Sequence, residues 1–239
     1  MLEQVKILTS RRAYEFHPDD LRLSTLCTKP VQEQIQQLFH FQTTLMGSPM
    51  ATFGDVPATF PPGIVFDMGV WIFQDKQLVP IRFLHFEQRR IVIDVAGPSS
   101  AITAIFEHLR QFLSQLQAAD GSPVIGEPER VLEYTEISAQ FLFPLDKVFS
   151  PSMRKFFAKS VSEKASEKEE IPIPILVIQP LPPEQEYAGV VNVNHPRSFT
   201  LALRAGSHPE EHVYFSAAPL DSEAHLSYLN ELDTALTSG

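Results

Sequence analysis

The sequence predicts an α+β fold, antiparallel sheet segments with helices packed on one side, built from two related βββα-type halves. Three observations point to it. Residues 64–95 alternate apolar and polar side chains at period two, in three runs parted by short polar turns. Large apolar residues then recur at spacings of three and four from Ile102 to Leu116. Residues 212–236 follow a looser version of the same plan: strand, proline-bearing turn, capped helix. Two halves of about this kind divide the chain, 1–120 and 121–239, with a charged mobile segment expected near 160–170.

In the first run Ile64, Phe66, Met68, Val70 and Ile72 share one face, and Val65, Asp67, Gly69, Trp71 and Phe73 the other. Asp75, Lys76 and Gln77 make a turn. Val79, Ile81 and Phe83 continue on one face of the second strand, with Arg82, Leu84 and Phe86 opposite. Gln88, Arg89 and Arg90 break the pattern before Ile91, Ile93 and Val95 line the third strand, leaving Val92 and Asp94 on its other side. Turns this short force antiparallel neighbours. Gly97 and Pro98 end the meander, and Ser99 or Ser100 is a natural N-cap for the helix that follows. Its stripe of Ile102, Ile105, Phe106, Leu109, Phe112, Leu113 and Leu116 reads as core, enough apolar surface to bind helix to sheet.

Before the meander, residues 5–8 and 13–16 read as one or two strands, and Leu21, Leu23 and Leu26 as another short one. Thr28, Lys29 and Pro30 open a helix with Val31, Ile35, Leu38, Phe39 and Leu45 on its inner face. Residues 47–62 form a loop rich in proline and glycine, a lid or a packed Ω-like loop; Met50, Phe53 and Phe60 favour packing. After the central helix a turn-rich connector leads to a long strand over 131–143. Ser150 and Pro151 start a helix with Met153, Phe156, Phe157 and Val161 inward. Ile171 to Ile178 begins by alternating isoleucine with Pro172 and Pro174, which suits an edge strand because proline cannot donate to a ladder. Strands over 187–194, 198–204 and 212–217 precede a final helix with Asp221 and Glu223 at its N-terminus and Leu226, Leu229, Leu232 and Leu236 inside.

This order, with the strand Tyr134, Thr135, Glu136, Ile137, Ser138 and the acidic, leucine-rich helix from Asp221, resembles a sporadically distributed bacterial family of unknown function with two related strand-strand-strand-helix halves. The resemblance extends over nearly the whole chain and implies a layout; it brings no catalytic residues.

The 239 residues are 44% hydrophobic and 20% charged, a composition that folds. With 20 Pro against 10 Gly, loops are set by proline rather than by a glycine-built phosphate cradle. The single cysteine, Cys27, fits a reducing compartment, and the first residues lack a basic segment followed by an apolar core, so a cytoplasmic protein is expected. No apolar run is long enough for a membrane span. The net charge of −10 lies mainly in the second half: residues 1–120 carry 10 Lys+Arg against 12 Asp+Glu, residues 121–239 carry 9 against 17. An acidic chain without clustered cations lacks the footprint of a duplex-binding surface, so no nucleic acid is expected.

Candidate chemistry is sparse. His208, Pro209, Glu210, Glu211 and His212 match the H-x-x-E-H pattern of inverted zinc peptidases, which needs a helix to bring both imidazoles to one metal; the internal proline favours a turn between strands. His195, Arg197 and Ser198 group an imidazole, a guanidinium and a hydroxyl, suited either to an anion or to a solvated hairpin turn. Asp67 and Asp94 sit in otherwise apolar strands. Facing one cavity they would make an acid/base pair; on the outer side of the sheet they would meet water or pair across strands with Arg82 and Arg90. Pro180 to Pro183 has the spacing of a polyproline ligand and more simply stiffens a loop.

No phosphate-loop, dinucleotide or serine-hydrolase signature is present, and no cofactor is expected. The leading expectation is a non-enzymatic interaction subunit or adaptor with a protein partner, itself or another, that uses sheet edges or the acidic second half. A small-molecule or anion-binding module comes next, and a hydrolase using the carboxylates or the His208 region third.

Overall fold

The computed structural model describes residues 2–46, 51–53, 56–58, 63–73, 77–144, 152, 175–178 and 198–238. The chain divides into two compact units, Thr9–Tyr134, and Met1–Leu8 with Thr135–Gly239. The expected helix after Ser150, the strand over 187–194, the segment 160–170 and most of the loop 47–62 lie outside the described residues.

The N-terminal strand β1 (Glu3–Glu15) is one continuous element, followed by a single helical turn α1 (Leu23–Leu26) and helix α2 (Lys29–Phe39). Then come β2 (Thr43–Met46), a small hairpin of β3 (Ala51–Phe53) and β4 (Val56–Ala58), and the meander β5 (Gly63–Ile72), β6 (Leu78–Glu87) and β7 (Arg90–Val95), closed by α3 (Ser99–Leu113). In the unit Thr9–Tyr134 the strands are ordered β2-β5-β6-β7-β1, each adjacent pair antiparallel. The core gathers Ile64, Phe66, Leu84, Phe86, Ile91 and Ile93 from the sheet, Ile35 and Phe39 from α2, and Ile102, Ile105, Phe106, Leu109 and Leu113 from α3. Tyr14 of β1 stacks flat on Phe106, their planes 8° apart.

The other unit holds β8 (Arg130–Gln140) from Thr135 onward, β9 (Ile175–Ile178), β10 (Phe199–Leu203), β11 (Val213–Ala218) and helix α4 (Ser222–Ser238). Its strands run β8-β11-β10-β9, again antiparallel. Ile137, Ala139, Phe141, Phe199, Leu201, Tyr214, Ala218 and Leu229 form its core. The plan β5-β6-β7-α3 thus recurs as β9-β10-β11-α4, and in each the last strand of the meander pairs with a further long strand, β1 or β8. The expected α+β class with a repeated βββα unit is the observed one. Asp221 caps α4 as its sequence suggests, its Oδ1 accepting from the backbone N–H of Glu223 and Ala224, both at 2.8 Å.

Several local expectations are corrected. Leu23 and Leu26 lie in a helical turn rather than a strand; Leu21 alone makes an isolated bridge, with Ile125. Leu45 does not extend the face of α2, because His40 turns left-handed (φ 53°) and ends the helix, leaving Leu45 exposed on β2. Neither Ser99 nor Ser100 caps α3; Pro98 holds that position, and Ser99 is buried in the first turn. The apolar alternation in β5 and β6 also changes faces. Met68 adopts φ 55°, so Ile64 and Phe66 point into the core while Met68 and Ile72 are exposed. In β6 a register slip between Ile81 and Phe83 against β7 moves the inward set from Val79 and Ile81 to Leu84 and Phe86. One extra residue in a ladder reverses every side chain beyond it. Gly69, just past Met68, allows a close approach: a Cβ there would sit 2.5 Å from the ring of Phe41.

Candidate functional site

In the unit Thr9–Tyr134, β7 sends Ile91, Ile93 and Val95 into the core, so Arg90, Val92 and Asp94 occupy the other face of the sheet. Register places three rows of side chains across that face. Asp67, Phe83, Asp94 and Arg11 form one, Val65, His85, Val92 and Ala13 the next, and Gly63, Glu87, Arg90 and Glu15 the last.

The first row answers the question of Asp67 and Asp94. They share a row but sit two strands apart, about 9–10 Å at the usual strand spacing, with Phe83 between them. Asp94 does not face water, although it is on the side opposite the core: it is 0% exposed. Its Oδ2 accepts from Arg11 Nε at 2.8 Å, and Arg82 Nε lies 3.9 Å from its Oδ1. Arg11 is itself held over the rings of Phe83 and Tyr134, at 5.3 and 5.7 Å. This arrangement encloses the carboxylate and engages it with two guanidinium groups, which suits cross-strand pairing better than proton transfer. Asp67 is half-buried, and its Oδ1 accepts from the backbone N–H of Met68. Arg82 therefore meets Asp94 as the cross-strand alternative anticipated, whereas Arg90 meets glutamates.

The last row opens into a cavity of about 430 Å³ lined by Glu15, Phe16, Glu87, Gln88, Arg89, Arg90, Glu129 and Arg130. The β6–β7 turn carries Gln88 and Arg89 to its mouth, and Glu129 and Arg130 come from the entry and first residue of β8. Arg90 lies between Glu15 at 3.1 Å and Glu87 at 3.7 Å. Arg89 donates through Nε to the carbonyl of Phe16 and reaches Glu129 at 4.0 Å. Behind Glu87, His85 Nδ1 is 3.4 Å from the carboxylate. Burial, aided by the nearby Arg90 guanidinium, pulls the His85 imidazole down to about 4, and burial raises the Glu87 carboxyl above its ordinary value. In the sequence Arg89 and Arg90 only break the strand pattern or offer a cross-strand partner; of the glutamates that complete the pocket, Glu87 is local and Glu15 and Glu129 come from two distant places in the chain.

The second polar constellation was not visible in the sequence. In the unit with α4, the ring of His225 lies between Thr135 Oγ1, 2.7 Å from Nδ1, and Ser216 Oγ, 2.8 Å from Nε2. Thr135 also reaches the carbonyl of Leu220, and Ser216 that of Thr200. A neutral ring donates to one hydroxyl and accepts from the other, so only the hydroxyl that receives the N–H can also give its proton to its carbonyl, and burial pulls the ring's value down to about 4. A hydroxyl beside an imidazole is the beginning of a nucleophile–base pair. Here His225 is 0% exposed, Thr135 and Ser216 are equally enclosed, and a threonine stands where a carboxylate would steady the imidazolium. The cluster therefore ties β8, β10, β11 and α4 together, with no path for a substrate to Ser216.

His208, Glu211 and His212 lie where a turn was expected: Pro209–Glu211 is a short 3-10 turn, His212 has φ 51°, and β11 begins at the next residue. Glu211 Oε2 accepts from the backbone N–H of His208 instead of facing an open site. Among the described residues no group of three or more His, Cys, Asp and Glu is arranged to hold a metal ion. Because residues 208–212 form a turn rather than a helix, the purified protein should carry no stoichiometric zinc on this segment; elemental analysis finding one zinc per chain, lost in His212→Ala, would reverse this. His195 and Arg197 lie outside the described residues. Among the described residues no helix is long and apolar enough to cross a membrane.

Fold and site together define a protein of two α+β units, one of which carries a small cavity of mixed charge. No known family model matches the chain, and no curated protein matches it.

Proposed function

We propose that this chain is a non-enzymatic, cytoplasmic interaction subunit that docks a protein partner along β9. The observation that carries this reading is the state of that strand. Among the described residues β9 ends the strand order of its unit, pairs with β10, and exposes Ile175 and Val177 at 62% and 55%. An edge strand offers a free row of backbone donors and acceptors, and alternate apolar side chains on it supply the pockets' contents when a second chain adds a strand. The test compares wild type with Ile175→Lys/Val177→Lys, each purified side by side from the native host. A partner retained by wild type in defined stoichiometry should be lost from the double variant, with the melting temperature unchanged. Equal retention by both would remove β9 as the docking element.

A second reading is favoured by the cavity beside β7: a small-molecule or anion-binding module. Its volume lies within the range of small-ligand sites, and charged groups converge on it from three segments of the chain. Binding here and docking at β9 use different units and are compatible.

A further inference from the structure

We propose that the cavity lined by Glu15, Glu87, Arg90, Arg89, Glu129 and Arg130 binds a compact zwitterion, ammonium end inward and anionic end at the rim. The proposal rests on the small-molecule reading above and names the ligand class it would take.

The charges in the cavity are segregated by depth. Its inner part holds Glu15, Glu87 and Arg90, whose side chains are between 13% and 27% exposed. Two carboxylates around one guanidinium leave this end with an excess of one negative charge. The rim holds Arg89, Glu129 and Arg130. Arg89 and Glu129 are more than half exposed and only loosely paired, at 4.0 Å. Arg130 is exposed and makes no ion pair or hydrogen bond with the described residues. The rim thus carries an excess of one positive charge. A ligand bearing one sign alone meets attraction at one end and repulsion at the other. An amino acid-like molecule meets attraction at both, and its charges are neutralised without importing a counter-ion. The guanidinium fork of Arg130 suits a planar carboxylate or a phosphate alike.

The depth order also fits the strengths of the groups. The deeper carboxylates are partly desolvated, so their attraction for an ammonium group is less screened than a surface pair would be. Phe16 closes the cavity from beneath, its own side chain buried in the apolar core.

Isothermal titration calorimetry on the full chain at low ionic strength tests this. The probes are ω-amino acids from glycine to 6-aminohexanoate, with n-alkylamines and alkanoates of matching length as singly charged controls. At least one amino acid should saturate and bind about tenfold or more tightly than its matching amine and acid. Arg130→Gln and Glu15→Gln should each weaken it by about tenfold or more. The Arg130 side chain is exposed and has no partner among the described residues, so its variant should fold as wild type does, and the thermal melt of each variant checks this. No saturation by any amino acid up to about 20 mM would overturn both the zwitterion and the binding-module reading. An alkanoate binding as tightly as the amino acid, and weakened by Arg130→Gln, would overturn the zwitterion while leaving a small-anion site. Amino acid binding that Arg130→Gln leaves unchanged would place it elsewhere and overturn the proposal.

Discussion

Leu109→Ala should cost about 2–5 kcal/mol of unfolding free energy, through lost apolar transfer and the cavity left behind. Leu109 is fully buried at the centre of the α3 stripe, among Ile105, Phe106 and Leu113 of its own helix and the apolar face of the sheet. Against a typical total of about 5–15 kcal/mol, the loss would be visible as a large shift in denaturant midpoint without a change in slope. The control lies one residue on. Arg110 faces solvent, where it pairs with the exposed Glu127, and a surface pair of this kind contributes little. Arg110→Ala should cost about 0.5 kcal/mol or less. Small and equal losses in urea melts of the two variants would mean that the stripe is not core.

The second large effect is acid sensitivity. His85 and His225 are both pulled from the ordinary 6.5 to about 4, and burial is the first cause in each case. The unfolded chain therefore binds protons that the folded chain refuses. The contribution of these groups is fully present above pH 6.5 and declines as pH falls from there toward 4. Between pH 7 and pH 5 the loss should be about 2 kcal/mol for His225, which is wholly enclosed. His85, lowered to about 4 by burial and by Arg90, adds a comparable amount. Glu87, whose value is raised, works in the opposite direction near the acid end of this window. Urea melts at pH 7, 6 and 5 measure the slope. His225→Gln keeps a side chain able to hydrogen-bond yet does not titrate, so its slope should be about half that of wild type. A wild-type stability that is flat from pH 7 to 5 would show that both rings accept protons in the folded state.

The charged cavity and the His225 cluster escaped the sequence for the same reason. Reading by periodicity sends polar residues to solvent, so the final helix was assigned an inner face of Leu226, Leu229, Leu232 and Leu236. In the fold only Leu229 of these is fully buried, and Ser222, His225 and Asp233 are buried with it. Those three follow helical spacing, yet nothing local distinguishes them from a wet stripe. What makes them interior is a set of partners elsewhere: Thr135 and Ser216 for His225, and the backbone N–H of Leu142 for Asp233. A buried polar group is tolerable only when such partners exist, and they lie in β8, in β11 and just past the end of β8.

What the sequence determined by itself is the set of elements whose signal is local. The three-stranded meander, the α3 stripe and the cap at Asp221 follow from alternation, helical spacing and a carboxylate near free N–H groups. The repeat of strand, strand, strand, helix was legible for the same reason. Tertiary structure alone decided which face each strand presents past Met68 and past the slip beside Arg82, because one left-handed residue or one unmatched residue reverses the alternation beyond it. It also decided that Asp94 is enclosed with Arg11 rather than wet, and that Glu15, Glu87, Arg90 and Arg130 meet in one cavity. Those outcomes depend on register between segments distant in the chain, and register is set by the packing of the whole sheet rather than by any stretch of residues within it.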